Sequence, residues 1–87
     1  MRSVIFTNRS PSLDLHGEVP EMLELLITDF INYNILLKNE YIAIVHGKGS
    51  GAVKNKTHEI LKKHPKVIEY KINTWNIGET IVRLDLK

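Results

Sequence analysis

Five consecutive apolar residues, Tyr41 to Val45, stand between two stretches with helical spacing. A run apolar on both faces belongs in the middle of a parallel sheet, and a helix on either side of it in sequence implies a β-α-β frame. The preceding stretch repeats Val19, Met22, Leu23, Leu26, Ile27, Phe30, Tyr33 and Leu37 at helical intervals, predicting a helix with a broad buried stripe. Pro20 opens it with a φ suited to a first turn, and Glu21 and Glu24 favour the positive end of its dipole. The following stretch predicts a second helix from about Ala52 to Lys63, buried through Val53, Thr57, Ile60 and Leu61 and stopped by His64-Pro65.

Ser12 to His16 reads as a short strand with Leu13 and Leu15 on one face and Asp14 and His16 on the other, ended by Gly17. Val67 to Thr74 alternates Ile68, Tyr70 and Ile72 against Glu69, Lys71 and Asn73, so it is a strand with one wet face. Asn76-Ile77-Gly78-Glu79 reads as a turn, and Thr80 to Leu86 as the second arm of a hairpin with Val82, Leu84 and Leu86 inward. The order is β-α-β-α-β-β. Right-handed crossovers stepping the same way place both helices on one face of the sheet, which makes an α/β two-layer sandwich. Residues 1–11 read as a tail with 4–6 as a candidate edge strand, and 12–87 as the domain. Trp75 is expected to close one end of the core, in preference to stacking on a base.

A chain of 87 residues is one domain, burying about 60–65% of its unfolded surface. It has no cysteine, which excludes disulfides, thiolate zinc sites and thiol nucleophiles. No apolar run approaches a secretory h-region or the ~20 residues of a membrane span, so a soluble cytoplasmic chain without a membrane partner is expected. The net charge is +2, but residues 12–45 hold six acids against Lys38, and residues 46–66 hold six lysines against Glu59. The basic half opens at a glycine-rich loop and suits a polyanion partner, although lysines alone more often serve solubility.

That loop is His46-Gly47-Lys48-Gly49-Ser50-Gly51, between the central strand and the second helix. Alternating glycines let backbone N–H groups converge, and a helix N-terminus adds donors, so the loop is built to hold a phosphate. It matches neither G-x-x-x-x-G-K-[ST] nor G-x-G-x-x-G, and an extended phosphate backbone suits it better than a buried nucleotide. If the first two strands are parallel neighbours, their carboxyl ends bring Asp14, His16 and the loop to one edge. Two histidines near that rim, with Asp14 beside them, make an acid/base set at neutral pH. The bland alternative is that Asp14 caps its own turn and His46 packs on the loop. His58 and His64 read as structural or solvated. A metal site through Asp14, His16 and Glu18 stays open, without the spacing of a recognised motif.

The pair Leu13-Asp14-Leu15-His16-Gly17 and His46-Gly47-Lys48-Gly49-Ser50-Gly51, about thirty residues apart in a β-α-β frame, resembles the two signatures of the Smr (small MutS-related) domain, L-D-L-[HR]-G and H-G-x-G-x-G. The resemblance covers residues 12–87, and Ala52-Val53-Lys54 continues it. It implies a four-stranded mixed sheet with both helices on one side, as in the C-terminal domain of translation initiation factor three. It also implies endonuclease activity on branched DNA or on mRNA of stalled ribosomes. By position, Asp14 and His16 match the catalytic pair, and His46, Gly47, Lys48, Gly49 and Gly51 the phosphate-binding signature. The larger MutS-like ATPases and N-terminal extensions common in the family are not within these residues, so targeting would fall to the chain's own lysines or to a longer protein of which it is a part.

The mechanism expected is phosphodiester cleavage. Loop N–H groups, Ser50, Lys48 and Lys54 would hold the phosphate, and Asp14 would orient the centre. His16 and His46 would move protons. RNA supplies its own 2′-OH nucleophile, whereas DNA needs an activated water, which Mg²⁺ would provide as cofactor. The rivals are a non-catalytic module binding nucleic acid or a ribosome through the same surface, and a small-anion binder.

Overall fold

The computed structural model describes residues 10–49 and 51–87, so the candidate edge strand at 4–6 and Ser50 lie outside the described residues. The elements are β1 (Ser12–Asp14), α1 (Pro20–Leu36), β2 (Tyr41–Val45), α2 (Ala52–Lys63), β3 (Val67–Asn73) and β4 (Asn76–Leu84). The sheet runs β1-β2-β4-β3, with β1 parallel to β2 and β4 antiparallel to both its neighbours. It is a mixed four-stranded sheet whose one face carries both helices over a common core. That core joins Leu23, Ile27 and Ile31 of α1 and Ile60 and Leu61 of α2 to Leu15, Ile42, Ile44, Val82 and Leu84. Each such side chain contributes about 1.5–3 kcal/mol when fully buried.

The α2 boundaries and its buried Thr57, Ile60 and Leu61 agree with the sequence pattern. The α1 stripe agrees only in part, with Leu26 and Phe30 packed against the core as expected. Leu23, Ile27, Ile31 and Asn34 are buried, while Val19, Met22, Tyr33 and Leu37 are exposed. Asn34 can replace an apolar residue because its amide is satisfied. Its Nδ2 donates to the Phe30 carbonyl at 2.8 Å, and its Oδ1 accepts from Asn39 Nδ2 at 2.9 Å.

The final hairpin is tighter than expected. Asn73 pairs with Asn76, leaving only Thr74 and Trp75 in the turn, and residues 76–79 belong to β4. An irregularity between Val67 and Glu69 breaks the alternation of β3, and Ile68 is exposed instead of inward. Trp75 is 94% exposed, so it closes no core. Asx-type bonds hold the turn without it, Asn73 Oδ1 accepting the Trp75 N–H at 2.9 Å and Asn76 Oδ1 the Gly78 N–H at 3.1 Å.

Candidate functional site

Parallel pairing of β1 and β2 sets Asp14 opposite Val45, and the Leu15 N–H donates to the Val45 carbonyl at 2.8 Å. The two strand ends therefore emerge side by side, and Asp14, His16 and the His46–Gly51 loop share one edge of the sheet. Their side chains part there. Along β2 the inward positions are Ile42 and Ile44, and His46 continues that parity into the interior, where it is 6% exposed. Asp14 and His16 are exposed. Asp14 Oδ1 accepts the His16 N–H at 2.9 Å, which closes an Asx turn before Gly17 at φ 81°. No hydrogen bond or ion pair among the described residues joins Asp14 or His16 to His46. His46 is thus not a rim residue, contrary to expectation.

What holds His46 is β4. The N–H groups of His46 and Gly47 both donate to the Gly78 carbonyl, at 2.9 and 3.0 Å. Gly47 takes φ 88°, a conformation that favours glycine, and its N–H is spent on this contact instead of on an anion. Gly78 allows the approach. A Cβ there would stand 3.1 Å from Lys48 Cγ and 3.2 Å from the Gly47 carbonyl carbon, and the Lys48 stem lies over it. Lys48 and Gly49 remain exposed on the loop, while Gly51, at φ 93°, is the N-cap of α2. Lys54 follows in the first turn, half-buried.

The His46 ring makes two further bonds. Its Nδ1 lies 3.1 Å from the Gly47 carbonyl, and its Nε2 lies 2.8 Å from Thr80 Oγ1. The same hydroxyl lies 2.7 Å from His58 Nε2, and the two imidazoles meet edge to face at 5.9 Å. Proton counting orders this chain. A carbonyl only accepts, so His46 Nδ1 carries a hydrogen, and in that single-hydrogen tautomer Nε2 accepts the Thr80 hydroxyl proton. Thr80 has one proton to give, so His58 must donate to it through Nε2–H. Burial lowers the His58 pKa, and the neighbouring His46 and Lys54 lower it further. The Tyr70 ring covers it at 5.0 Å.

His58 is therefore tied to His46; it read as structural or solvated, and the structural reading holds, but the link to His46 was missed. The signal was faint: His58 is four residues after Lys54 and three before the buried Leu61, on the margin of the helix's inner stripe. Gly78 and Thr80 were missed as well, Gly78 because it read as a turn. His64 is partly buried, which lowers its pKa, and its Nδ1 accepts the Lys66 N–H at 3.0 Å. Among the described residues no three of His, Asp and Glu gather as a metal-holding group, so Asp14, His16 and Glu18 do not form one. No helix among them is long and apolar enough to cross a membrane.

Comparison with known proteins places the chain. The Smr domain family matches residues 13–85. A protein named endonuclease MutS2 from Halothermothrix orenii is 33% identical over 79 residues, 90% of this chain and 10% of that protein. The MutS2 endonuclease of Helicobacter pylori strain 26695 is 38% identical over 72 residues, 83% of this chain and 9% of the relative. The chain thus spans about a tenth of the length of the curated relatives it matches. Among solved structures, the Smr domain of Thermus thermophilus MutS2 superposes with a TM-score of 0.81 at 23% identity, covering 85% of this chain and 96% of that one. YdaL, a stand-alone small MutS-related protein from Escherichia coli, gives 0.72 at 22% identity, covering 84% and 63%. These two share the fold, and the sequence match over nearly the whole domain makes the family assignment: the chain belongs to the Smr domain family.

Proposed function

We propose that this chain is a nucleic-acid endonuclease that cleaves phosphodiester bonds, with RNA preferred to structured DNA and the phosphate on the exposed part of the glycine loop. The observation that carries the reading is the parallel β1–β2 register, which sets the Asx turn of Asp14 and His16 beside the loop at one sheet edge. The naming of its relatives as endonucleases supports it. Of the expected set Asp14, His16 and His46, His16 is the residue that meets the reacting atoms, and His46 is a positioning residue. His16, exposed beside the loop, exchanges a proton with the attacking or leaving oxygen, and Asp14 fixes its backbone. Lys48, Lys54 and the amides of Gly49 and Gly51, with Ser50, neutralise the phosphate and its developing charge. His46 serves through the loop it anchors to β4, and Gly47 through the turn it permits. For DNA, a Mg²⁺ ion held through Asp14 and waters would supply an activated water.

A binding module for nucleic acid or the ribosome is the second reading. It is favoured by the internal bonding of both His46 nitrogens, which leaves His16 alone as an exposed imidazole. Labelled RNA and branched DNA, each incubated with wild type and His16→Ala in EDTA or Mg²⁺, separate the two. Cyclic-phosphate ends formed in EDTA and lost in the variant support cleavage through the 2′-OH. Identical backgrounds from both proteins on every substrate eliminate the nuclease and leave the module.

A further inference from the structure

The chain's single tryptophan is 94% exposed, although tryptophan is ordinarily among the most thoroughly covered side chains of a domain. It is also held in place. Its main-chain N–H donates to Asn73 Oδ1, Asn73 Nδ2 donates to Glu79 Oε1 at 2.6 Å, and the Asn76 side chain pins Gly78, so the turn presents the indole on a braced hairpin. The hairpin points to a particular place. Gly78, three residues on, is the residue whose carbonyl receives the His46 and Gly47 N–H groups and over which the Lys48 stem lies. Three strand residues are about 10 Å of backbone, so the indole stands within reach of a nucleotide flanking a phosphate on the loop. Ile77, 60% exposed, adds apolar surface to the same hairpin, and the exposed Lys48 supplies positive charge on the loop.

We infer that Trp75 is a stacking platform for an unpaired nucleobase next to the phosphate held by the loop, which rests on the nucleic-acid reading above and adds that the bound strand is single-stranded there. An indole face and a base face bury each other's apolar surface, whereas a duplex keeps its base faces stacked on one another and offers only edges. Stacking of this kind is tolerant of sequence, since every base has a π-face. A partner protein would also cover an exposed tryptophan, but the adjoining cationic glycine loop selects a polyanion whose rings alternate with phosphates.

Because Trp75 is the only tryptophan, its emission reports on this residue alone. The 87-residue chain is titrated with a 2′-O-methyl RNA strand that cannot be cleaved through its 2′-OH, with the same strand as a duplex, and with an abasic strand of equal length. Binding is followed separately by anisotropy of end-labelled strands. The expected result is emission quenched by half or more in step with binding of the single strand, and binding of the abasic strand with little quenching. Trp75→Ala should weaken single-strand binding about fivefold to a hundredfold, with Trp75→Phe recovering most of it and circular dichroism unchanged for both. Single-strand binding with constant emission, or equal affinity for Trp75→Ala, overturns the stacking site and leaves nucleic-acid binding intact. An absence of anisotropy change with every nucleic acid overturns both together.

Discussion

The ends of β1 and β2 each carry a histidine followed by a glycine, lie side by side in register, and are built in opposite ways. The β1 end bonds to itself: Asp14 accepts the His16 N–H, and both side chains face water. The β2 end bonds to everything around it, with two N–H groups on Gly78 and a ring joined through Thr80 to a helix residue. The difference comes from strand parity and from what lies beyond each strand. His46 continues the inward row of Ile42 and Ile44, whereas His16 sits past the last pair of β1 in a turn. One histidine is free for a substrate, and the other holds the loop that would receive it.

Two substitutions can break this contrast. His16→Ala should reduce cleavage about 10²–10⁴-fold, while unfolding free energy stays within about 0.5 kcal/mol of wild type, as for surface positions generally. His46→Ala should instead cost about 2–4 kcal/mol in urea unfolding, since it leaves a cavity and strands the Thr80 hydroxyl in the interior. Equal stability losses in the two variants, or a His46→Ala protein as stable as wild type, would erase the distinction.

A finer test acts on the hydroxyl between the imidazoles. Thr80→Val keeps the shape and removes the bridge, leaving two Nε2 atoms against a methyl group, and should cost about 1–3 kcal/mol. Thr80→Ser should restore most of that. Long-range ¹H–¹⁵N spectra give an independent reading, with hydrogen on Nδ1 of His46 and on Nε2 of His58 in the wild type. The opposite tautomers would reverse the order of donation.

The fold was legible wherever local pattern and tertiary contact agreed. The apolar run 41–45, the stop at His64-Pro65 and the two signature loops were of this kind, and they were enough to place both candidate loops at one edge. It was illegible where a distant partner decided. Asn34 is buried instead of Tyr33 because Asn39 and the Phe30 carbonyl satisfy its amide, which no periodicity reveals. In α1 apolar residues occur nearly all round, Leu25 and Leu36 among the exposed, so the sequence did not single out a face. Asn76 and Gly78 have turn chemistry yet lie in β4, because Asn73 and Asn76 already close the hairpin around Thr74 and Trp75. Whether His58 was structural or solvated stayed open because its partner, Thr80, is 22 residues away and is delivered by sheet register.

The smallest effect expected concerns pH. His58 and His64 both have pKa values lowered in the folded chain, His58 by burial first and then by His46 and Lys54, His64 by burial. Above about pH 6.5 both are neutral whether folded or not, and the stability they permit is fully present. As pH falls below that value, the unfolded chain takes up protons before the folded one, so the folded state loses ground until the folded pKa values are passed. The urea midpoint should therefore drop between pH 7.5 and 5.5, before carboxylate protonation dominates. His58→Gln retains a donor toward Thr80 and should flatten part of that slope, and His64→Gln another part. Lys54→Met tests the electrostatic share: removing the ammonium one turn away should let His58 titrate closer to its ordinary value and shrink the slope less than His58→Gln does. A slope insensitive to all three substitutions would move the pH response away from His58 and His64.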